Sequence, residues 1–121
     1  MTTTPLPVQR LNLVTLGVAD LARARAYYDA LGWQADESAE GVVFYDLGGM
    51  KLALFGLQPL AEDQGRPGAT LGTGAVTLAQ NFRSPAEVDA AYAAALGAGA
   101  TALKPPEAVF WGGYSGYVAH P

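Results

Sequence analysis

The chain has 121 residues, half of them apolar, which is enough to bury one core and too little for two independent ones. Eleven carboxylates against seven Lys plus Arg leave a net charge of −4, so no basic surface exists to neutralise a row of phosphates, and nucleic acid is not expected as a partner. With no cysteine there is no disulfide framework, thiol nucleophile or thiolate metal site, and no apolar run approaches the ~20 residues of a membrane span.

The N-terminus, Met1-Thr-Thr-Thr-Pro-Leu-Pro, lacks the charged start and apolar stretch of a signal peptide, so a cytoplasmic location is expected, with residues 1–9 a flexible arm. From there a duplication governs the pattern. Val14-Thr-Leu-Gly-Val-Ala-Asp20 and Leu78-Ala-Gln-Asn-Phe-Arg-Ser84 each run as a strand into a helix cap, at a constant offset of 64 residues. In the first copy Asp20 caps a helix whose apolar stripe is Leu21, Ala24, Tyr28 and Leu31, and Gly32 suits a left-handed end. Strands are predicted at about 33–36, 42–47 and 50–55, the last two joined through Gly48-Gly49 as a hairpin. Residues 58–73 carry Gly, Pro and charge without periodicity and read as an exposed linker.

In the second copy Ser84-Pro85-Ala86-Glu87 sets Ser at the N-cap, Pro at the first helical position and Glu at the third, a capping box. Val88, Ala91, Tyr92, Ala95 and Leu96 form the stripe behind it, and the helix ends at Gly97 or Gly99. Strands are predicted at 100–104, ending at the Pro105-Pro106 break, and at 115–119; the counterpart of the strand at 50–55 is missing. The chain therefore reads as one domain over 10–121, with module one at 10–57, the linker at 58–73 and module two at 74–121.

The run from Leu11 to Trp33, with its strand, Val18-Ala-Asp-Leu21, the Tyr27-Tyr28 pair and Leu31-Gly-Trp33, resembles the opening of the glyoxalase/bleomycin-resistance/dioxygenase (vicinal oxygen chelate) superfamily. Ser84-Pro-Ala-Glu-Val-Asp89, Lys104-Pro-Pro106 and Trp111-Gly-Gly-Tyr-Ser-Gly-Tyr117 are similar to a bacterial subgroup of it. The resemblance implies an α+β fold in which two βαβββ modules form a curved mixed sheet around a cavity, here with the last strand of the second module missing. It also implies metal ligands on the first strands of both modules and a Glu on the final strand. The first two positions fall on Leu13 and Thr77, which offer no donor and a weak neutral one, and the third is missing. Neither metal nor other cofactor is expected.

His120 is the only imidazole and has no obvious co-ligand, and Ser115 lacks a nucleophile elbow, so no catalytic residue is assigned. Candidate ligand-binding residues come from strand alternation, with the inward face taken from the resemblance. They are Leu13 and Thr15 on the first strand, Lys51 and Phe55 on the hairpin strand, Thr77 and Asn81 on the second module's first strand, and Trp111 and Tyr117 on the aromatic loop. Alternatives stand beside several: Lys51 is either the cavity's one cation or a strand-end lysine in solvent, Asn81 either orients a ligand or bonds within a turn, and the loop aromatics either line a site or plug the core. The expected function is metal-free binding of a small apolar or aromatic molecule by a homodimer, with sequestration of a drug or metabolite as the role it suggests. The competing readings are a metal-dependent lyase, transferase or dioxygenase, and an interaction module or truncated remnant without activity.

Overall fold

The computed structural model describes residues 8–39 and 41–121. Its elements run β1 (Leu13–Val18), α1 (Leu21–Ala30), β2 (Glu37–Ala39), β3 (Val42–Asp46), β4 (Lys51–Gly56), α2 (Leu57–Asp63), α3 (Pro85–Gly97), β5 (Thr101–Ala108) and β6 (Tyr114–Ala119). The class is α+β. A four-stranded mixed sheet has the order β1-β4-β3-β2, with β1 parallel to β4 and the other pairs antiparallel, and β5 and β6 form a separate antiparallel pair.

The helix starts follow the capping chemistry of the sequence. Asp20 Oδ1 accepts from the Arg23 amide at 3.0 Å, fixing the first turn of α1. Ser84 Oγ accepts from the Glu87 amide at 3.2 Å while Glu87 Oε2 accepts from the Arg83 amide at 3.1 Å, so the side chains of both residues satisfy backbone donors at the start of α3. Alternation then divides the sheet. Val14, Leu16 and Val18 of β1, Val43 and Tyr45 of β3, and Leu52 and Leu54 of β4 face α1, whose Ala24, Tyr27 and Tyr28 are buried against them. Ala95 of α3, Ala100 and the partly buried Val118 of β6 join this same cluster, so one core serves both halves. The His120 ring packs edge-on against Tyr27 and tilted against Tyr28, each with centroids 5.3 Å apart.

Four expectations need correction. The strand placed at 33–36 begins later, at Glu37: Trp33 folds back, its amide donating to Tyr28 O at 3.0 Å and its ring packing on Tyr28 and Tyr45, so the ladder starts only where the Asp36 amide reaches Phe44 O at 2.8 Å. The linker 58–73 contains α2: Leu57, Leu60 and Ala61 have helical spacing, and Pro59 sits in the first turn, where a missing N–H costs nothing. Pro105-Pro106 do not end β5; they shift its register on β6 between Ala102 and Lys104 and between Lys104 and Glu107. Gly116 is needed opposite, because a Cβ there would stand 2.8 Å from Lys104 O and 2.9 Å from Pro106 N.

The fourth correction bears on the site. The first strand of module two, expected to carry Thr77 and Asn81 and to run through Leu78 towards the cap at Ser84, is not formed: residues 75–81 make no ladder and are exposed. In module one the equivalent strand, β1, holds its place by pairing with β4 from Leu13↔Lys51 to Val18↔Gly56. Among the described residues nothing occupies the corresponding place beside 75–81, so its amides and carbonyls have no strand to bond. The six strands assigned among the described residues lie in a four-stranded mixed sheet and a two-stranded antiparallel one.

Candidate functional site

The face of the four-stranded sheet turned away from α1 carries a cavity of about 280 Å³. Register builds it row by row. Thr15 lies beside Ala53 and Ala53 beside Phe44; in the next row Gly17 lies beside Phe55 and Phe55 beside Val42. Ala53 is 1% exposed, and its small side chain sets a floor between the half-buried Phe44 and Phe55. Leu13 adds an apolar edge, and α2 reaches over the rim with Leu60 and Asp63. The position of α2 depends on Gly17, since a Cβ there would meet Leu57 at 2.8 Å and Leu60 at 3.0 Å. On the far side of Leu60 lies a second cavity of about 270 Å³, lined also by Gly17, Leu57, Gln64, Arg66, Leu71 and Gly72. There the Arg66 side chain donates to Gln64 Oε1.

Of the residues singled out in the sequence, Leu13, Thr15 and Phe55 line the first cavity together. Lys51 lies on the same face, paired in register with Leu13 and Asp46, but outside the lining; its Nζ donates to Asp36 Oδ2 at 2.6 Å. Thr77 and Asn81 are exposed on the unpaired segment. Trp111, 67% exposed, sits in the turn joining β5 to β6, a turn closed by the Val109 amide donating to Gly113 O, and Tyr117 lies on β6 opposite Lys104. None of these four lines the cavity.

Val42, Phe44, Ala53, Leu60 and Asp63 were not among the sequence candidates. The signal for Val42 and Phe44 was available: they alternate with Val43 and Tyr45, which are buried under α1. Leu60 and Asp63 were hidden by reading 58–73 as unstructured.

A divalent metal does not fit this face. Leu13 has no donor, Thr77 is elsewhere, and Asp63 is the only carboxylate in the lining. Among the described residues no group of three or more His, Cys, Asp or Glu comes together. The titratable groups outside the site are shifted by simple causes. Burial lowers the pKa of His120, opposed by its ring hydrogen bond to Pro121 O, and burial raises those of Tyr27, Tyr28 and Tyr45. Tyr114 is raised chiefly by donating to Asp89 Oδ1 at 2.7 Å, a contact that ties β6 to α3. Among the described residues no helix is long and apolar enough to cross a membrane.

Comparison with known proteins agrees with this architecture. The family model for the Glyoxalase/Bleomycin resistance protein/Dioxygenase superfamily matches residues 10–121. A glyoxalase-related enzyme from Fulvimarina pelagi is 32% identical, with a TM-score of 0.84 over 94% of this chain and 82% of that one. A glyoxalase/bleomycin resistance protein/dioxygenase from Nocardioides is 25% identical, with a TM-score of 0.77 over 98% of this chain and 80% of that one. A lactoylglutathione lyase from Agrobacterium tumefaciens, 24% identical with a TM-score of 0.64 over 93% and 86% of the two chains, shares the fold. No curated protein matches.

Proposed function

The chain belongs to the glyoxalase/bleomycin resistance protein/dioxygenase superfamily, and from that premise we propose that it binds a small apolar or aromatic molecule on the face of its four-stranded sheet turned away from α1, without a metal, in a sequestering role. The observation that carries this reading is the lining itself: Leu13, Val42, Phe44, Ala53, Phe55 and Leu60 give apolar walls and floor, and Thr15 supplies one neutral polar group among them. Small-molecule sites have this composition, mostly apolar with few oriented polar atoms, and about 280 Å³ lies just below their usual range of roughly 300–1,000 Å³. A metal-dependent lyase, transferase or dioxygenase would need several donors converging on one ion to polarise substrate oxygens, and this face offers the Asp63 carboxylate and the Thr15 hydroxyl. Titration of the isotope-labelled protein with a neutral bicyclic probe, 2-naphthylmethanol, tests the placement: saturable shifts at Thr15, Phe44, Ala53 and Phe55 are expected, and shifts confined to 109–117 would overturn it.

We also propose that the chain acts as a homodimer. β1 is an edge strand of its sheet, and residues 75–81 present unpaired backbone with Val76 61% and Leu78 51% exposed, a combination that invites strand pairing with a second copy.

A further inference from the structure

Resting on the proposed binding site, we infer that the concave pocket selects ligands that carry a protonated amine on an aromatic or apolar frame, the ammonium meeting Asp63 at the rim while the frame lies against Phe44 and Phe55. Asp63 is the only ionisable group in the lining. Among the described residues no ion pair or side-chain hydrogen bond engages it. The cation that follows it in sequence, Arg66, gives its guanidinium to Gln64 and lines the neighbouring cavity instead.

The other cation of this sheet face does not reverse the sign. Lys51 is bonded to Asp36 and stands beside Asp46 in register, and Asp46 in turn accepts from the Gly48 amide at 2.8 Å. Among the described side chains, the one positive charge there stands with two negative ones, so Lys51 adds no uncompensated cation to this face. The walls point the same way: the faces of Phe44 and Phe55 carry negative quadrupole charge, which attracts an ammonium and repels a carboxylate. The net charge of −4 leaves no long-range field to oppose a cation. Because Asp63 is exposed, water screens the attraction, and a preference of several-fold rather than orders of magnitude follows.

Three probes of one shape and different charge test this: 2-naphthylmethylamine, 2-naphthylmethanol and 2-naphthylacetate, titrated by calorimetry at pH 7 and low salt. The amine should bind about three- to tenfold more tightly than the alcohol, the acetate most weakly, and the amine's advantage should shrink at high ionic strength. Asp63→Asn should bring the amine to within twofold of the alcohol, and Asp63→Lys should favour the acetate. Both substitutions fall on an exposed helix end, and circular dichroism of each variant is the check that the fold survives. An amine preference that persists in Asp63→Asn, or an amine no tighter than the alcohol in the parent, overturns the inference while leaving the site standing. If none of the three probes shifts the resonances of Phe44, Ala53 and Phe55, the site itself is misplaced and the inference falls with it.

Discussion

Truncating Phe44 to alanine removes one wall of the cavity without opening the core. Its ring is half-buried in the free protein, on the face opposite the fully buried Tyr45, so the substitution takes little from the packing under α1. Full burial of a Phe side chain is worth about 1.5–3 kcal/mol. A bound ligand covers only the part of the ring still in water, so the loss of binding should be about 1–1.4 kcal/mol, or roughly five- to tenfold in Kd. Phe55→Ala should behave alike, because it occupies the neighbouring row on the same face. Calorimetric titration with 2-naphthylmethanol measures the effect, and a thermal melt followed by circular dichroism checks that the fold survives. Trp111→Ala is the control: its indole is 67% exposed in the β5–β6 turn, outside the cavity, and its loss should leave Kd unchanged. Unaltered binding by Phe44→Ala and Phe55→Ala, with weakened binding by Trp111→Ala, would refute this placement and put the site on the aromatic turn.

Protein purified without chelator should hold less than a tenth of an equivalent of Zn, Mn, Ni or Fe by elemental analysis, about what adventitious binding leaves where no ligand set exists; one equivalent that survives dialysis would contradict the donor chemistry of this face. Light scattering at micromolar concentration should give twice the 12.5 kDa chain mass, and a strict monomer would remove the case for strand pairing between copies. Stability should also depend on His120. Its folded pKa lies below the ordinary 6.5, so the contribution of the packed neutral ring is fully present above about pH 6.5 and is lost as pH falls through that value toward the folded one. Urea midpoints should therefore drop less between pH 7.5 and pH 5 in His120→Phe than in the parent, and equal drops in the two proteins would show that the ring's contact with Tyr27 and Tyr28 carries no such linkage.

What could be read from the sequence was whatever local chemistry dictates. Asp20 and Ser84 cap the helices because a short side-chain oxygen before an apolar stripe has one good use, and Leu52 and Leu54 face the core because a strand's period is two. The cavity was only partly legible. Leu13, Thr15 and Phe55 follow from alternation, but the floor at Ala53 becomes visible only when Thr15 and Phe44 are brought to either side of it by pairings 38 and nine residues apart in the chain. The rim was illegible for a different reason. A seven-residue helix containing Pro59 has too few turns for periodicity to show, and it is held by Leu57 and Leu60 packing beside Gly17, a tertiary contact.

The duplication also explains why the cavity is built on module one. In module one the floor and walls are spread over three adjacent strands, and β4 is the central one, because it holds β1 on one side and β3 on the other. Module two retains the hairpin β5–β6 and the helix α3, but its first-strand sequence has no central strand to lie against, and the two prolines of β5 break the remaining ladder where a flat wall would be needed. Strand alternation places Thr77, Ala79 and Asn81 on one face of that segment once it is extended and paired. In the structure Thr77 and Asn81 lie on exposed backbone that pairs with no described strand, and Tyr117 lies on β6 opposite Lys104. Whether these residues bind anything is thus a question about strand pairing before it is one about side chains, whereas Leu13, Phe44 and Phe55 need no such partner.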